Sequence, residues 1–257
     1  MHQIFSFSLR AYFSIVLFAL FITVSNSGFS QKLGFGPKLG VNASVFRGDF
    51  PEKGMRQPKI GFSAGGYLLV KGKKNKNWQF EANILYTTRG HKANFYNTIN
   101  LAPQALYPTE KDKYAYNVGY LEIPLLFRYM LNRGGVIRPY LLFGPVYSGL
   151  LSAKFTGQSL LKNKKGDDVI NYLNRDDLGI MVGWGIQNFI LDRWYHLDIR
   201  LYHGFIDNSQ YIQNDLFPCY SCQQSARSDE VISEYRNSTL TITIGVGLET
   251  SETFFLR

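Results

Sequence analysis

Hydrophobic and polar positions alternate with period two through most of this chain. The stretch 119–131, GYLEIPLLFRYML, shows the rule. Leu121, Ile123, Leu125, Phe127 and Tyr129 fall on one face, and Tyr120, Glu122, Pro124, Leu126 and Arg128 fall on the other. A helix is excluded, because Pro124 in mid-run would remove a hydrogen bond and clash with the preceding turn. The pattern predicts a strand with one oily side and one mostly polar side. In 33–46, Phe35, Leu39, Val41, Ala43 and Val45 alternate with Gly34, Gly36, Lys38, Gly40, Asn42 and Ser44. In 59–70, Ile60, Phe62, Ala64, Leu68 and Val70 oppose Gly61, Ser63, Gly65 and Tyr67. In 77–90, Trp78, Phe80, Ala82, Ile84 and Tyr86 oppose Gln79, Glu81, Asn83, Thr87 and Arg89. In 194–206, Tyr195, Leu197, Ile199 and Leu201 oppose His196, Asp198, Arg200 and Tyr202. The cleanest alternation is 238–250, with Leu240, Ile242, Ile244, Val246 and Leu248 set against Thr239, Thr241, Thr243, Gly245, Gly247 and Glu249. Stretches 136–151 and 178–191 complete a set of eight predicted strands. Each is long enough to cross a bilayer when tilted, which takes about 9–11 residues.

The connections alternate in length. Segments 46–58, 91–113, 152–177 and 207–237 are long, whereas 71–76 (KGKKNK), 132–135 (NRGG) and 192–193 (DR) are short. This alternation predicts an all-β fold: an eight-stranded antiparallel up-and-down transmembrane β-barrel with tight turns at one rim and large loops at the other. In an outer-membrane barrel the short turns face the periplasm. Trp78, Tyr129, Trp194 and Tyr195 fall beside those turns, where an interfacial aromatic girdle belongs. Pro124, and Pro139 with Pro145 in the neighbouring strand, sit badly in a closed barrel without an edge, and predict a local break or bulge.

The N-terminus changes the compartment. Arg10 precedes the apolar run 11–24 (AYFSIVLFALFITV), too short for a comfortable membrane helix. Gly28 and Ser30 are small at the positions that fit cleavage before Gln31, so residues 1–30 are expected to be a secretory signal and 31–257 one barrel domain. No Cys stands directly after the apolar run, which argues against a lipid anchor. Beyond it no run approaches the ~18 apolar residues of a spanning helix, so membrane entry requires a barrel.

Composition agrees. The chain has 20 Phe, 17 Tyr and 24 Gly, which favours strands and close backbone approach over helix bundles. The formal charge of +9 admits nucleic acid or an anionic membrane surface as partner. The distribution of the basic residues argues against nucleic acid and leaves solvated loop charge as the plain reading. Lys71, Lys73, Lys74 and Lys76 crowd one turn, and Lys154, Lys162, Lys164 and Lys165 crowd one loop, with no aromatic-interleaved groove. The loop lysines suit the phosphates of lipopolysaccharide.

These segments also carry a family resemblance. GPKLGVNASVF at the start of the mature chain, FEANILYTTRG, YLEIPLLFRYM, RPYLLFGPVYSGLL and the terminal LTITIGVGLE, in that order, resemble the PorT-like outer-membrane β-barrel family of Bacteroidetes. The resemblance spans nearly the whole mature chain and implies an eight-stranded barrel in the outer membrane. It brings the barrel assembly machinery as a partner in biogenesis, and the type IX secretion and gliding machinery as a candidate envelope assembly. One departure stands out. Outer-membrane barrels commonly end on an aromatic residue, whereas this chain ends FFLR, with Phe254 and Phe255 set back from Arg257.

By parity, the inward charges are Lys38, Glu81, Arg89, Glu122, Arg128, Asp198, Arg200 and Glu249. Both signs occur, and an eight-stranded lumen is just wide enough for side chains. The expectation is a structural ionic network that plugs the barrel; a narrow diffusion pore is the alternative. Cys219 and Cys222 (CYSC) lie in the longest loop, with no second Cys pair and no His in that loop. A small structural disulfide is expected there, in preference to a redox pair or half a metal site. His203, Asp207 and Ser209 form the best hydrolytic trio available at the rim, but no nucleophile elbow accompanies them. LGFGPKLG is not a dinucleotide loop, since Pro37 follows the second Gly and no helix pattern succeeds it. The chain is therefore read as a non-enzymatic integral outer-membrane barrel, without cofactor, metal or catalytic residues. Its loops would meet a surface ligand or partner. A rim lipid-modifying enzyme and a soluble lipocalin-like carrier are the weaker readings.

Overall fold

The computed structural model describes residues 32–47, 55–71, 77–96, 111–132, 135–158, 163–168, 173–207 and 236–249. The strands are β1 (Lys32–Arg47), β2 (Met55–Lys71), β3 (Trp78–Tyr96), β4 (Lys111–Met130), β5 (Ile137–Gln158), β6 (Asn163–Asp168), β7 (Asp176–Ile190), β8 (Arg193–Gly204) and β9 (Arg236–Glu249). They form one antiparallel sheet in the order β4-β3-β2-β1-β9-β8-β7-β5, and β4 pairs with β5 to close it. Closure removes the exposed sheet edge that lipid would not tolerate. β6 is the ninth strand; it lies outside the closed ring and pairs only with the far end of β5.

The period-two rule assigns the faces. Along β4, Tyr120, Glu122, Pro124, Leu126 and Arg128 are buried, while Leu121 and Phe127 are exposed. Ile60, Leu39 and Ile84 are 79%, 62% and 62% exposed on the outer surface. A band of such residues around a closed barrel is stable only against acyl chains. Among the described residues no helix is long and apolar enough to cross a membrane; the strands do the crossing.

The short turns between β2 and β3, β4 and β5, and β7 and β8 share one rim with the start of β1 and the end of β9. There Trp78 packs on Tyr129 at 4.9 Å between ring centroids and on Phe143 at 6.2 Å, as a girdle. Trp194 departs from that expectation. It is only 8% exposed, has luminal parity, and stacks under the cations of Lys71 at 4.1 Å and Arg138 at 5.1 Å. It caps the end of the lumen.

At the other rim, β3, β4 and β5 run well past their predicted ends, and NKKGDD forms β6. Outside the membrane neither strand face meets lipid, so alternation fades while hairpin pairing continues. Pro124 stays in register with Val146. Its ladder to β3 is interrupted between Ala82–Leu125 and Leu85–Glu122 and resumes unshifted: a local break without a bulge. Within the closed ring the bulges lie elsewhere, at Gly119/Tyr120 of β4 and between Pro58 and Ser63 of β2; a further one, at Phe155/Thr156, lies where β5 pairs with β6.

The β2 bulge leaves backbone groups that lipid cannot satisfy. Thr88 Oγ1 accepts from the Phe62 amide at 2.9 Å. On β1, Ser44 Oγ accepts from the Gly90 amide and donates to the Gly90 carbonyl, both at 2.8 Å. Gly90 has φ of 153°, a conformation open to glycine and rarely to other residues.

Candidate functional site

Parity decides which side chains enter the lumen; stagger decides which of them meet. Paired residues can be followed around the barrel from Gln79 through Arg128, Leu142, Gly183, Arg200, Thr241, Asn42 and Gly61. The path returns to β3 between Thr87 and His91, about ten residues from its start, the stagger of a tilted eight-stranded barrel. The luminal ions consequently sort into two layers.

The layer nearer the short turns holds Lys38, Glu81, Arg128, Asp198 and Arg200, all buried. Lys38 Nζ donates to Glu81 Oε1 at 2.7 Å and to Asp198 Oδ2 at 3.0 Å. Arg200 donates to the same two oxygens, at 2.8 and 2.5 Å. Arg128 pairs with Glu81 Oε2 and lies 4.0 Å from Asp198 Oδ1. Thr243 Oγ1 donates to Asp198 Oδ2 at 3.1 Å, and the Tyr140 hydroxyl donates to its other oxygen. The guanidinium of Arg128 lies over the Tyr140 ring at 4.3 Å and donates to His196 Nδ1 at 3.2 Å. A guanidinium has no acceptor, so Nδ1 of His196 is the unprotonated nitrogen.

The second layer lies toward the long connections. Arg89 pairs with Glu122 and approaches Asp177 Oδ2 at 3.5 Å. Its guanidinium stacks on Tyr202 at 4.0 Å and on Tyr120 at 5.2 Å. Asn237 Nδ2 donates to Asp177 Oδ2 at 2.8 Å and to the Tyr120 hydroxyl at 3.4 Å. Leu126, Leu142, Val146 and Met181 pack with Met130, Tyr140 and Tyr202 as one buried cluster on one wall of the lumen.

Seven of the eight charges expected inside are therefore brought into these two layers. Glu249 ends β9 opposite Gly34, and its side chain lies outside the described residues, as do Cys219 and Cys222 entirely. Asp177 and Asn237 were missed because the predicted strands began one residue late, at 178 and 238; one more step of parity reaches both. Tyr140 was missed because a search for charge passes over the neutral tyrosine that donates to Asp198 and lies under the Arg128 guanidinium.

Nothing in the described residues assembles a reaction centre. His203 Nε2 lies 3.0 Å from the Arg47 guanidinium, which occupies the lone pair a general base would need. Ser209 lies outside the described residues. Among the described residues no three His, Cys, Asp or Glu side chains are grouped to hold a metal ion.

Comparison with known proteins agrees with this architecture. The family model described as "Outer membrane protein beta-barrel domain" matches residues 29–210, and the chain belongs to that family. No curated protein matches significantly. Among solved structures, the chain is similar to Ail, the attachment invasion locus protein of Yersinia pestis, at 14% identity and a TM-score of 0.36, over 85% of this chain and 99% of that one. It is similar to OprG of Pseudomonas aeruginosa at 13% identity and a TM-score of 0.38, over 86% and 95%. Neisserial surface protein A gives 11%, 0.37, 84% and 96% on the same measures.

Proposed function

We propose that this member of the outer membrane protein β-barrel domain family is a non-enzymatic, plugged barrel that displays its long connections at the cell surface. The observation that carries the reading is the lower ionic layer. Lys38, Glu81, Arg128, Asp198 and Arg200 interlock across the lumen with their side chains at most 1% exposed. Charges so deeply paired cost too much to separate for the lumen to serve as an open aqueous path. What remains for function is the rim carrying β6 and the long loops. The short-turn rim faces the periplasm in this proposal, and residues 1–30 are a cleaved signal that delivers the chain there.

The partners follow from surface chemistry. The outward apolar band takes outer-membrane lipid. Exposed Lys92 and Lys154, beyond that band, suit phosphates of lipopolysaccharide. The barrel assembly machinery inserts the chain. The PorT-like motifs add service to an envelope assembly such as type IX secretion as the finer reading.

The deciding experiment combines fractionation with planar-bilayer recording. The proposal expects recovery in the outer membrane, faster gel migration without boiling, and no steady conductance. Recovery in the soluble periplasm defeats the membrane reading, and a reproducible ion-selective conductance defeats the plug in favour of a narrow pore. An epitope inserted at 225 should be reached by antibody on intact cells, and one in the 131–136 turn should not. For the secretion role, deletion of the gene should reduce surface delivery of secreted cargo; unchanged secretion removes it.

A further inference from the structure

We propose that Arg47, Arg236 and His203 form an outward-facing site for the phosphomonoester head group of an outer-leaflet lipid. The inference rests on the membrane-barrel reading and gives its lipid partner a definite place on the wall. The three residues sit at the long-loop ends of neighbouring strands. Arg47 closes β1, Arg236 opens β9 directly opposite it, and His203 of β8 pairs with Ser238 of β9. Parity turns all three away from the lumen, since the adjacent Asn237 and Tyr202 are each 1% exposed on the inside. Just below, Leu201 and Leu240 pair across β8 and β9, 50% and 48% exposed on the lipid face. His203 stands two residues past Leu201, roughly 5 Å along the axis at the usual strand rise and tilt. That is head-group depth, a layer of about 5–8 Å on each side of the hydrocarbon core.

Two guanidiniums directly opposite each other on paired strands repel, the reverse of what a sheet favours. Snorkelling accounts for a single interfacial arginine and not for a facing pair. Arg47 also meets no carboxylate among the described residues. Its Nη2 lies 3.0 Å from Nε2 of His203, and its Nε is buried without an acceptor. A guanidinium only donates, so Nε2 of His203 is unprotonated and Nδ1 carries the ring hydrogen. His203 therefore adds a donor to the cluster without adding a third charge. Phe205 packs against its ring at 5.7 Å between centroids. Asp177 lies on the luminal side of the same strands and is taken by Arg89 and Asn237.

An anion between the two guanidiniums turns their repulsion into attraction. A phosphomonoester fits better than a diester. It carries about −1.5 to −2 charge near neutral pH and three terminal oxygens, matching two guanidinium charges and donors from three residues. A lipid fits better than a soluble phosphate, because Leu201, Leu240 and the 54% exposed Phe205 offer apolar surface beside the site. Lys92 and Lys154, across the barrel on β3 and β5, supply ammonium point charges and lack the guanidinium fork.

The test uses the full mature chain in detergent micelles, with folding certified by heat-modifiable migration. Phosphatidic acid is the monoester probe and phosphatidylglycerol of matched acyl chains the diester probe; native mass spectrometry reads bound lipid. The wild type should bind phosphatidic acid about tenfold more tightly than phosphatidylglycerol, the worth of one further charge-assisted hydrogen bond. Arg47→Gln and Arg236→Gln should each bring the two affinities close to equal. Arg47→Lys, which keeps the charge and loses the fork, should also lower the ratio and carries the assignment should a Gln variant fail to fold. Lys92→Gln with Lys154→Gln should leave the ratio at its wild-type value. Equal affinities in the wild type overturn the monoester site, whatever any variant does. A ratio unchanged by the arginine variants, or lost in the lysine variant, overturns its location. Displacement of phosphatidic acid by equimolar inorganic phosphate overturns the lipid as its source. Recovery of the chain in the soluble periplasm is a separate failure, which removes the membrane reading on which the inference rests.

Discussion

One side chain closes a gap in the sheet: Thr88 of β3 takes the Phe62 amide on its Oγ1 at 2.9 Å and lies 3.3 Å from the Phe62 carbonyl, to which it donates. Both Phe62 groups lie at the β2 bulge, on a barrel whose outer surface offers no water. Thr88→Val keeps shape and removes both bonds, so it is expected to destabilise the barrel by about 1–3 kcal/mol. Thr88→Ser should recover most of that. Urea titration in lipid vesicles, followed by heat-modifiable migration, measures both; an unchanged midpoint for Thr88→Val would contradict the account.

The turn joining β7 to β8 has room for improvement. Leu191 and Asp192 have φ of 52° and 59°, so the two-residue loop carries both central residues in the left-handed region, as a type I′ turn requires. A bulky aliphatic residue there is strained, and Leu191 is 85% exposed, so it gains no packing in return. Replacing the pair by Asn-Gly should stabilise the barrel by about 0.5–1 kcal/mol and speed refolding. A lower urea midpoint for the double variant would show that Leu191 has a role in the interface.

The lower ionic layer should be strongly non-additive. Glu81→Gln leaves Lys38, Arg128 and Arg200 facing Asp198 alone, and the expected cost is about 3–5 kcal/mol. Arg128→Gln removes the surplus cation and should cost less. The double variant should lie well below the sum of the singles, with a coupling of about 1–3 kcal/mol. Additive losses in a double-mutant cycle would mean that the two residues do not act as a pair.

The proposed bridge between Cys219 and Cys222 closes so short a loop that its benefit should be about 2 kcal/mol or less. Replacing both with Ser should leave folding and heat-modifiability intact. Alkylation of intact, unreduced cells should find no free thiol in the wild type; labelling of both would show that the bridge is absent.

The sequence by itself determined the wall of this barrel. Alternation told lipid face from lumen face at Leu121 against Glu122 and at Ile199 against Arg200, because a strand crossing a membrane must satisfy two opposite solvents at every second residue. Loop lengths told the two rims apart. What it left undecided was height and partnership. Lys38 meets Asp198, 160 positions away, only because the accumulated stagger of the staves brings those strands level there. The same stagger divides one string of inward charges into two layers, and bulges at Gly119 and beyond Pro58 adjust it locally. Strand extension past the membrane was equally silent, since in water both faces of β6 are polar and no period marks it. Parity is a local property of the backbone and is written residue by residue; register is a sum over all the strands, and only the closed tertiary structure settles it.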